Sequence, residues 1–402
     1  MPNKLQAMLP CPQLSAATET RIQIALALLW AALHTVLFFK YGVRTTDDSW
    51  EYLTYAQAVA DDFHFANNYY IKYLGYPLFL ASLFKLGFGL EGVIVVQTLF
   101  SGIATVFFYR TTKLLAGNAL APALATFVLI IWYDLQLNHA FIMTESLYIS
   151  LLMYGFYLVV RAGSVRQSLW ALPVLLYVAL VRPNGFIAVV AYMAYIVTVA
   201  YINAPTVKAR RLLLLSVTII PTIAILVVDQ YLLQSFTIVE TYEKGEVIYM
   251  YKGLLVHSDK PIIMPPADVS PLTKLYLFVR DNTSYFFRMS ALRFLLFWGN
   301  VKPYFSMFHN MMIALILYPM YFFAAKALLK DYISLPVRMF GVLLVLQQAF
   351  ITTITSEYET GRYLMSVVFI VFAFGAIGIS WQLDKWRKQG QGLVTPPPPA
   401  AL

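Results

Sequence analysis

Cysteine is all but missing from this chain. Its one thiol, Cys11, lies in the polar N-terminal arm, which excludes an internal disulfide and a thiolate metal cluster. Charge is scarce as well: Asp, Glu, Lys and Arg make up 12% of 402 residues, where soluble domains carry about a quarter. No glycine-rich phosphate loop, dinucleotide fingerprint or Ser-His-Asp arrangement is evident, so the usual signs of nucleotide-driven or serine-hydrolase chemistry are lacking. No internal repeat relates one half of the chain to the other.

What is present is apolar. The chain is 60% hydrophobic with a mean hydropathy of +0.68. Stretches of roughly 17–25 apolar residues, long enough to span a bilayer as helices, recur from end to end. Backbone polar groups in lipid must be satisfied within the segment, so the expected fold is all-α: a polytopic membrane bundle of about ten to twelve helices. The runs lie near 22–41, 75–89, 91–109, 119–133, 146–161, 168–181, 185–203, 211–233, 304–325, 334–355 and 362–382. Basic turns mark the cytoplasmic side: Arg110 and Lys113, Arg161 and Arg166, Lys208 to Arg211, Lys326 and Lys330, and Lys385 to Lys388. These turns account for the net charge of +9 without nucleic acid.

Run 75–89 is short and holds Gly75, Pro77, Lys85, Gly87 and Gly89, so it reads as interfacial or re-entrant. That leaves about ten full crossings with both termini inside. The first run lacks a clear cleavage site and reads as a retained helix. The expected organisation is an N-terminal arm (1–21), a transmembrane module (22–233) with a first outer loop at 42–90, an outer loop or lid at 234–303, further transmembrane helices (304–382), and a Gly-, Pro- and Ala-rich cytoplasmic tail (383–402).

The few acids are concentrated. In "TTDDSWEYLTYAQAVADDF", residues 45–63, four aspartates and a glutamate directly follow the first run. Thr46 or Asp47 can cap a helix there, and Trp50, Leu53, Ala56, Ala60 and Phe63 recur at helical spacing, as in a helix lying on the membrane. Asp61 and Asp62 read as a solvated face. Asp47 and Asp48 read either as a helix start or as a general base at the lipid surface. Lys72 is either an ammonium for a lipid phosphate or a snorkelling anchor. Arg182 and Arg362 lie at outer helix ends, against the positive-inside trend, and a guanidinium binds two phosphate oxygens in a fixed fork. Glu145 opens an apolar helix: it answers the helix dipole, or joins Asp47 and Asp48 in holding a divalent metal ion or orienting a substrate. His139 reads as a polar loop residue.

Several of these segments, taken in order, carry a resemblance. Asp48, Tyr52 and Ala56 followed by "GYPLFLASLFKLG", then "YRTTKLLAGNALAPALATFVLIIW", "NHAFIMTESLYISLLMYGFYLVVRAG", "LVRPNGFIAV" and "SEYETGRYLMSVVF" together resemble the membrane-embedded C-type (GT-C fold) glycosyltransferases. That superfamily includes the dolichyl-phosphate-mannose protein mannosyltransferases and the bacterial aminoarabinose transferases. The likeness covers about 1–203 and 356–380; the middle third is unmatched. Asp-Asp stands where Asp-Glu is commoner, and the proline often seen after Arg-Tyr is missing.

The resemblance implies a polyprenyl-phosphate-linked sugar donor, a glycan, lipid or protein acceptor, and an inverting transfer at the outer face of a bacterial inner membrane. Asp48 or Asp47 would be the base, with Glu145 in the second acidic motif. Lys72, Arg182 and Arg362 would hold the donor phosphate, and Tyr52, Tyr76 and Tyr363 would contact substrate. A metal ion on Asp47, Asp48 and Glu145 is left open. An outer-face polysaccharide polymerase or ligase is the alternative within the same chemistry. A transporter is the alternative outside it, but transporters place charges mid-membrane, often in repeated halves.

Overall fold

The computed structural model describes residues 15–66, 69–215, 239–358 and 361–390. Helix dominates them. The strands among the described residues are one two-residue parallel pair, Ile248–Tyr249 with Glu357–Tyr358. Six helices are long and apolar enough to cross a membrane: Ala16–Tyr41, Leu90–Ala116, Pro183–Asn203, Met307–Leu329, Leu335–Ile354 and Val368–Gln389. Leu120–Ile131 and Tyr133–Ala140, bent by 61°, make a seventh if taken as one broken span. The protein is an all-α, multi-pass integral membrane protein.

Fewer helices qualify than the ten or so expected, for identifiable reasons. Run 168–181 forms Ala171–Val181, only 11 residues or about 16 Å, against a hydrocarbon core of about 30 Å. Run 146–161 forms Thr144–Arg161, whose Glu145, Ser146, Ser150 and Arg161 dilute its hydropathy. Run 211–233 lies mostly outside the described residues. Run 75–89 forms Gly75–Lys85, again 11 residues and too short to cross.

The acidic helix, Asp47–Asp62, buries a different face from the one its periodicity suggests. Leu53, Ala56 and Ala60 are buried as expected, but with Tyr52, Tyr55 and Val59. Trp50 and Phe63 are 58% and 74% exposed. Protein rather than lipid covers the buried face: Tyr52 packs on Tyr70, Tyr73 and Tyr76 at centroid distances of 5.6, 5.5 and 5.5 Å. The Tyr55 hydroxyl donates to the Ala66 carbonyl at 2.9 Å, so a tyrosine can be buried there with its polar tip satisfied.

The last span is the most enclosed of the six, 67% of its apolar window being buried, whereas Ala16–Tyr41 is peripheral at 11%. The last span packs on Met307–Leu329 and Leu120–Ile131. Small residues let helix backbones approach closely, and here the approach is at Gly375 and Gly378. A Cβ at Gly378 would sit 2.1 Å from the Phe323 carbonyl oxygen, and one at Gly375 would sit 2.8 Å from the Met320 carbonyl oxygen. Neither neighbour is a side chain that can swing away. Gly378→Ala is therefore expected to force the two helices apart and destabilise the bundle by about 1–3 kcal/mol, read as a lowered midpoint of thermal unfolding in detergent.

Candidate active site

Thr46, not an aspartate, is the N-cap of the acidic helix. Its backbone N–H donates to Ser49 Oγ at 2.8 Å, one half of a capping box. Asp47 and Asp48 thus occupy the first turn, where the helix dipole favours their charge, while their carboxylates are released from capping. The segment before the cap is strapped to the next acidic motif. The Arg44 N–H donates to the Ala140 carbonyl and the Ile142 N–H to the Arg44 carbonyl, both at 2.9 Å. Gln97, wholly buried, donates from Nε2 to the carbonyls of His139 and Phe141 at 2.8 and 2.7 Å. The helix break at 138–143 is thereby fixed, and Glu145 is held just beyond it.

Three further breaks aim cations at the same place. The chain turns at Arg182-Pro183-Asn184-Gly185, where the Gly185 N–H donates to the Arg182 carbonyl at 2.8 Å. Glycine is required: a Cβ at Gly185 would lie 2.4 Å from the Val178 carbonyl oxygen. Arg362 follows Gly361, whose φ of +67° is the left-handed conformation that glycine adopts freely, with Asn300 packed against it. Lys72 sits in a short 3-10 turn, Tyr69–Tyr73, with Nζ 3.2 Å from the Tyr69 ring centroid. Gly75 abuts the backbone of Leu180 and Val181, and the Tyr177 hydroxyl donates to its carbonyl at 2.8 Å. Lys72 and Tyr73 are held beside Arg182 in this way.

Glu145 joins the two arginines. Both guanidiniums approach the same oxygen, Oε1: Arg182 Nη1 at 2.9 Å and Arg362 Nη1 at 3.3 Å. The side chains are 2%, 7% and 15% exposed in the order Glu145, Arg182, Arg362. The Thr144 hydroxyl donates to Oε2 at 3.2 Å. Within these three residues one carboxylate stands against two guanidiniums, in a low-dielectric wall where charge acts strongly on an anion.

That wall faces a cavity of about 660 Å³. Asp47, Asp48, Tyr52, Lys72, Arg182, Arg362 and Tyr363 all line it, although they come from the first loop, a mid-chain turn and the last loop. Tyr52 lines the cavity with Asp48 and Arg182. Tyr76 is not there. It is wholly buried beneath Tyr52, its hydroxyl turned toward Gln97 Oε1 at 3.4 Å, and it is a core residue rather than a substrate contact. Nor do Asp47, Asp48 and Glu145 form a metal-binding trio: no group of three or more His, Cys, Asp or Glu among the described residues is placed to hold a metal ion, and Glu145 is committed to its arginines. His139 is buried, its Nδ1 2.7 Å from Ser146 Oγ, away from the cavity lining.

The middle third contributes a wall that its sequence does not announce. Thr241, Tyr249 and Met250 line the cavity because Ile248–Tyr249 pairs with Glu357–Tyr358 and Thr241 Oγ1 donates to the Thr355 carbonyl at 2.8 Å. Behind them stands Arg293, fully buried, its guanidinium 4.4 Å from the Tyr242 ring centroid and donating to the Glu246 carbonyl at 2.9 Å. Asn184, also on the cavity, donates to the buried Gln348 at 2.9 Å. Asn184 stands in the conspicuous Arg-Pro-Asn-Gly turn. Gln348 lies in an unbroken apolar run whose pattern does not mark it.

Compared with protein-family models, curated proteins and solved structures, the chain shows no match. Its site is read from its own geometry. Removing one partner of a buried ion group strands the others, which typically costs about 3–5 kcal/mol. Glu145→Gln should accordingly lower stability by about that amount, read by thermal unfolding. Adding Arg182→Gln should recover part of the loss, because one of the two stranded cations is then gone.

Proposed function

We propose that the protein is a glycosyltransferase that moves a sugar from a polyprenyl-phosphate donor to an acceptor hydroxyl at the outer face of the membrane. The observation that carries this reading is the juxtaposition within one cavity of two arginines fixed on a buried carboxylate, a lysine, and two aspartates released from capping. A phosphate suits the cationic wall, since paired guanidiniums offer several N–H donors to its oxygens. A carboxylate across the cavity suits an acceptor that must lose a proton as it attacks. The basic turns define the opposite, cytoplasmic side by the positive-inside bias. The ordered resemblance to the C-type glycosyltransferases points the same way, with a bacterial inner membrane as the setting.

In this mechanism Asp48 takes the acceptor's proton as the acceptor oxygen attacks the anomeric carbon. The bond from that carbon to the phosphate oxygen breaks on the far side, and its electron pair leaves with the polyprenyl phosphate. The single displacement inverts the anomeric centre. Arg182, Arg362 and Lys72 stabilise the charge that develops on the leaving phosphate. Glu145 keeps the arginines in place instead of transferring a proton itself. Tyr52 and Tyr363 lie where the transferred group would rest.

With polyprenyl-phosphate sugars as donors, Asp48→Asn should lower turnover by about 10²–10⁴-fold, the usual worth of general-base help, while donor binding persists. Asp47→Asn should have a smaller effect, and Asp61→Asn, on the exposed end of the helix, almost none. Wild-type turnover in both the Asp48 and Asp47 variants would remove the base from this loop. Burial draws the Lys72 ammonium down to a pKa of about 8. The lysine is charged below that pH and loses its proton as pH rises through it. Donor affinity should therefore weaken across pH 8, and Lys72→Arg, which stays protonated, should flatten the profile.

A further inference from the structure

The cavity has a feature that phosphate binding and proton transfer leave unused. All six aromatic residues that line it are tyrosines: Tyr52, Tyr69, Tyr70, Tyr73, Tyr249 and Tyr363. The chain holds 29 Phe against 28 Tyr, and 7 Trp, yet none of these other rings lines the cavity among the described residues. The selection is for a flat ring with a polar tip.

Burial sorts the lining by depth. Arg182 and Tyr52 are deep, at 5% and 2% exposure, while Tyr69 and Tyr249 stand at the mouth, 58% and 39% exposed. Asp48 is half-buried and Asp47 exposed, so the acids occupy the intermediate to outer level. Tyr69, Tyr249 and Tyr363 all line the cavity, although they come from the first loop, the middle third and the last loop. Both mouth tyrosines sit on braced backbone. Tyr69 opens the 3-10 turn that carries Lys72. Tyr249 belongs to the strand pair, with the antiparallel bridge Glu246–Leu255 beside it.

An isoprenoid chain lying along this mouth would cover the Asp47 and Asp48 carboxylates with apolar surface that offers them no hydrogen-bond donor, which is unfavourable. A pyranose has what the mouth lacks. Its C–H faces pack on the electron-rich faces of the rings, and its edge hydroxyls meet carboxylates and tyrosine hydroxyls. If the donor phosphate is held at the deep arginines, the ring at the mouth is the one that arrives from outside, the acceptor's. We infer that Tyr69 and Tyr249 form an acceptor subsite for a saccharide ring, and that the acceptor is a carbohydrate rather than a peptide or a simple lipid alcohol. The assignment to the acceptor rests on the glycosyl-transfer reading above; the saccharide subsite itself does not.

The test is saturation-transfer NMR on the full-length protein in detergent, without donor. The probes are the methyl glycosides of glucose, mannose, galactose and N-acetylglucosamine, together with a serine-containing peptide and farnesol. At least one glycoside should bind. Tyr69→Ala and Tyr249→Ala should each weaken it by about five- to ten-fold, the scale of one aromatic stacking contact. Tyr69→Phe and Tyr249→Phe, which keep the ring, should stay within about two-fold of wild type on the same scale. Trp50→Ala, an exposed aromatic on the same loop that does not line the cavity, should change nothing. Failure of every glycoside to bind, or equal binding in the alanine variants, would overturn the subsite. So would binding of the peptide or farnesol in place of a glycoside. Glycoside binding that depends on both tyrosines, with no transfer from any polyprenyl-phosphate sugar, would uphold the subsite and defeat the transferase reading. Transfer to a peptide with no glycoside bound would do the reverse.

Discussion

The site depends on one buried carboxylate. Glu145 Oε1 is the common point at which Arg182 and Arg362 meet, and the three residues belong to segments that are remote in sequence. Two guanidiniums brought together in a low-dielectric wall repel each other and lose hydration. A single anion between them offsets that and fixes the direction of both side chains. An anion entering the cavity therefore meets cations already desolvated and oriented, so little reorganisation is left to be done on binding.

Holding that group requires the helices to break at set places. The break at 138–143 ahead of Glu145, the Arg-Pro-Asn-Gly turn, the 3-10 turn ahead of Gly75, and Gly361 each put a charged residue of the site at an interruption between helices. Interrupted backbone within a membrane protein must find its hydrogen bonds inside the protein. Polar side chains from neighbouring helices supply them: Gln97 to the carbonyls of His139 and Phe141, and Tyr177 to that of Gly75. The isolated polar residues inside apolar helices thus become intelligible as braces for the breaks that carry charge. The loop 239–258 is braced from the opposite side, through Arg293 and a small core around Tyr242, Phe278 and Phe286.

The tyrosines link these two themes. Tyr52 and Tyr73 pack the acidic helix onto the bundle while presenting a polar edge to the cavity, so the packing that orders the loop also shapes the lining. Tyr76, four positions after Lys72 and three after Tyr73, both of which line it, is drawn into the core because Gly75 lets its helix close against Ala171–Val181. Three residues separate the site ring of Tyr73 from the core ring of Tyr76.

Composition and periodicity alone establish the membrane class, the helical fold, the partial element at 75–89 and the concentration of acids after the first helix. These follow from the length and polarity of contiguous segments, which a linear reading measures directly. Asp47, Asp48, Lys72, Arg182, Glu145 and Arg362 stand out for the same reason: charge at a helix end is conspicuous in a chain with so little of it. Which faces of the acidic helix are covered, the sinking of Tyr76, the pairing of Glu145 with two arginines in place of a metal, and the entry of Tyr249 into the cavity are not legible in that way. Each is fixed by a contact between segments separated by tens to hundreds of residues. Such contacts depend on how the breaks turn the chain and on how closely glycines let helices approach, neither of which leaves a periodic trace in the sequence.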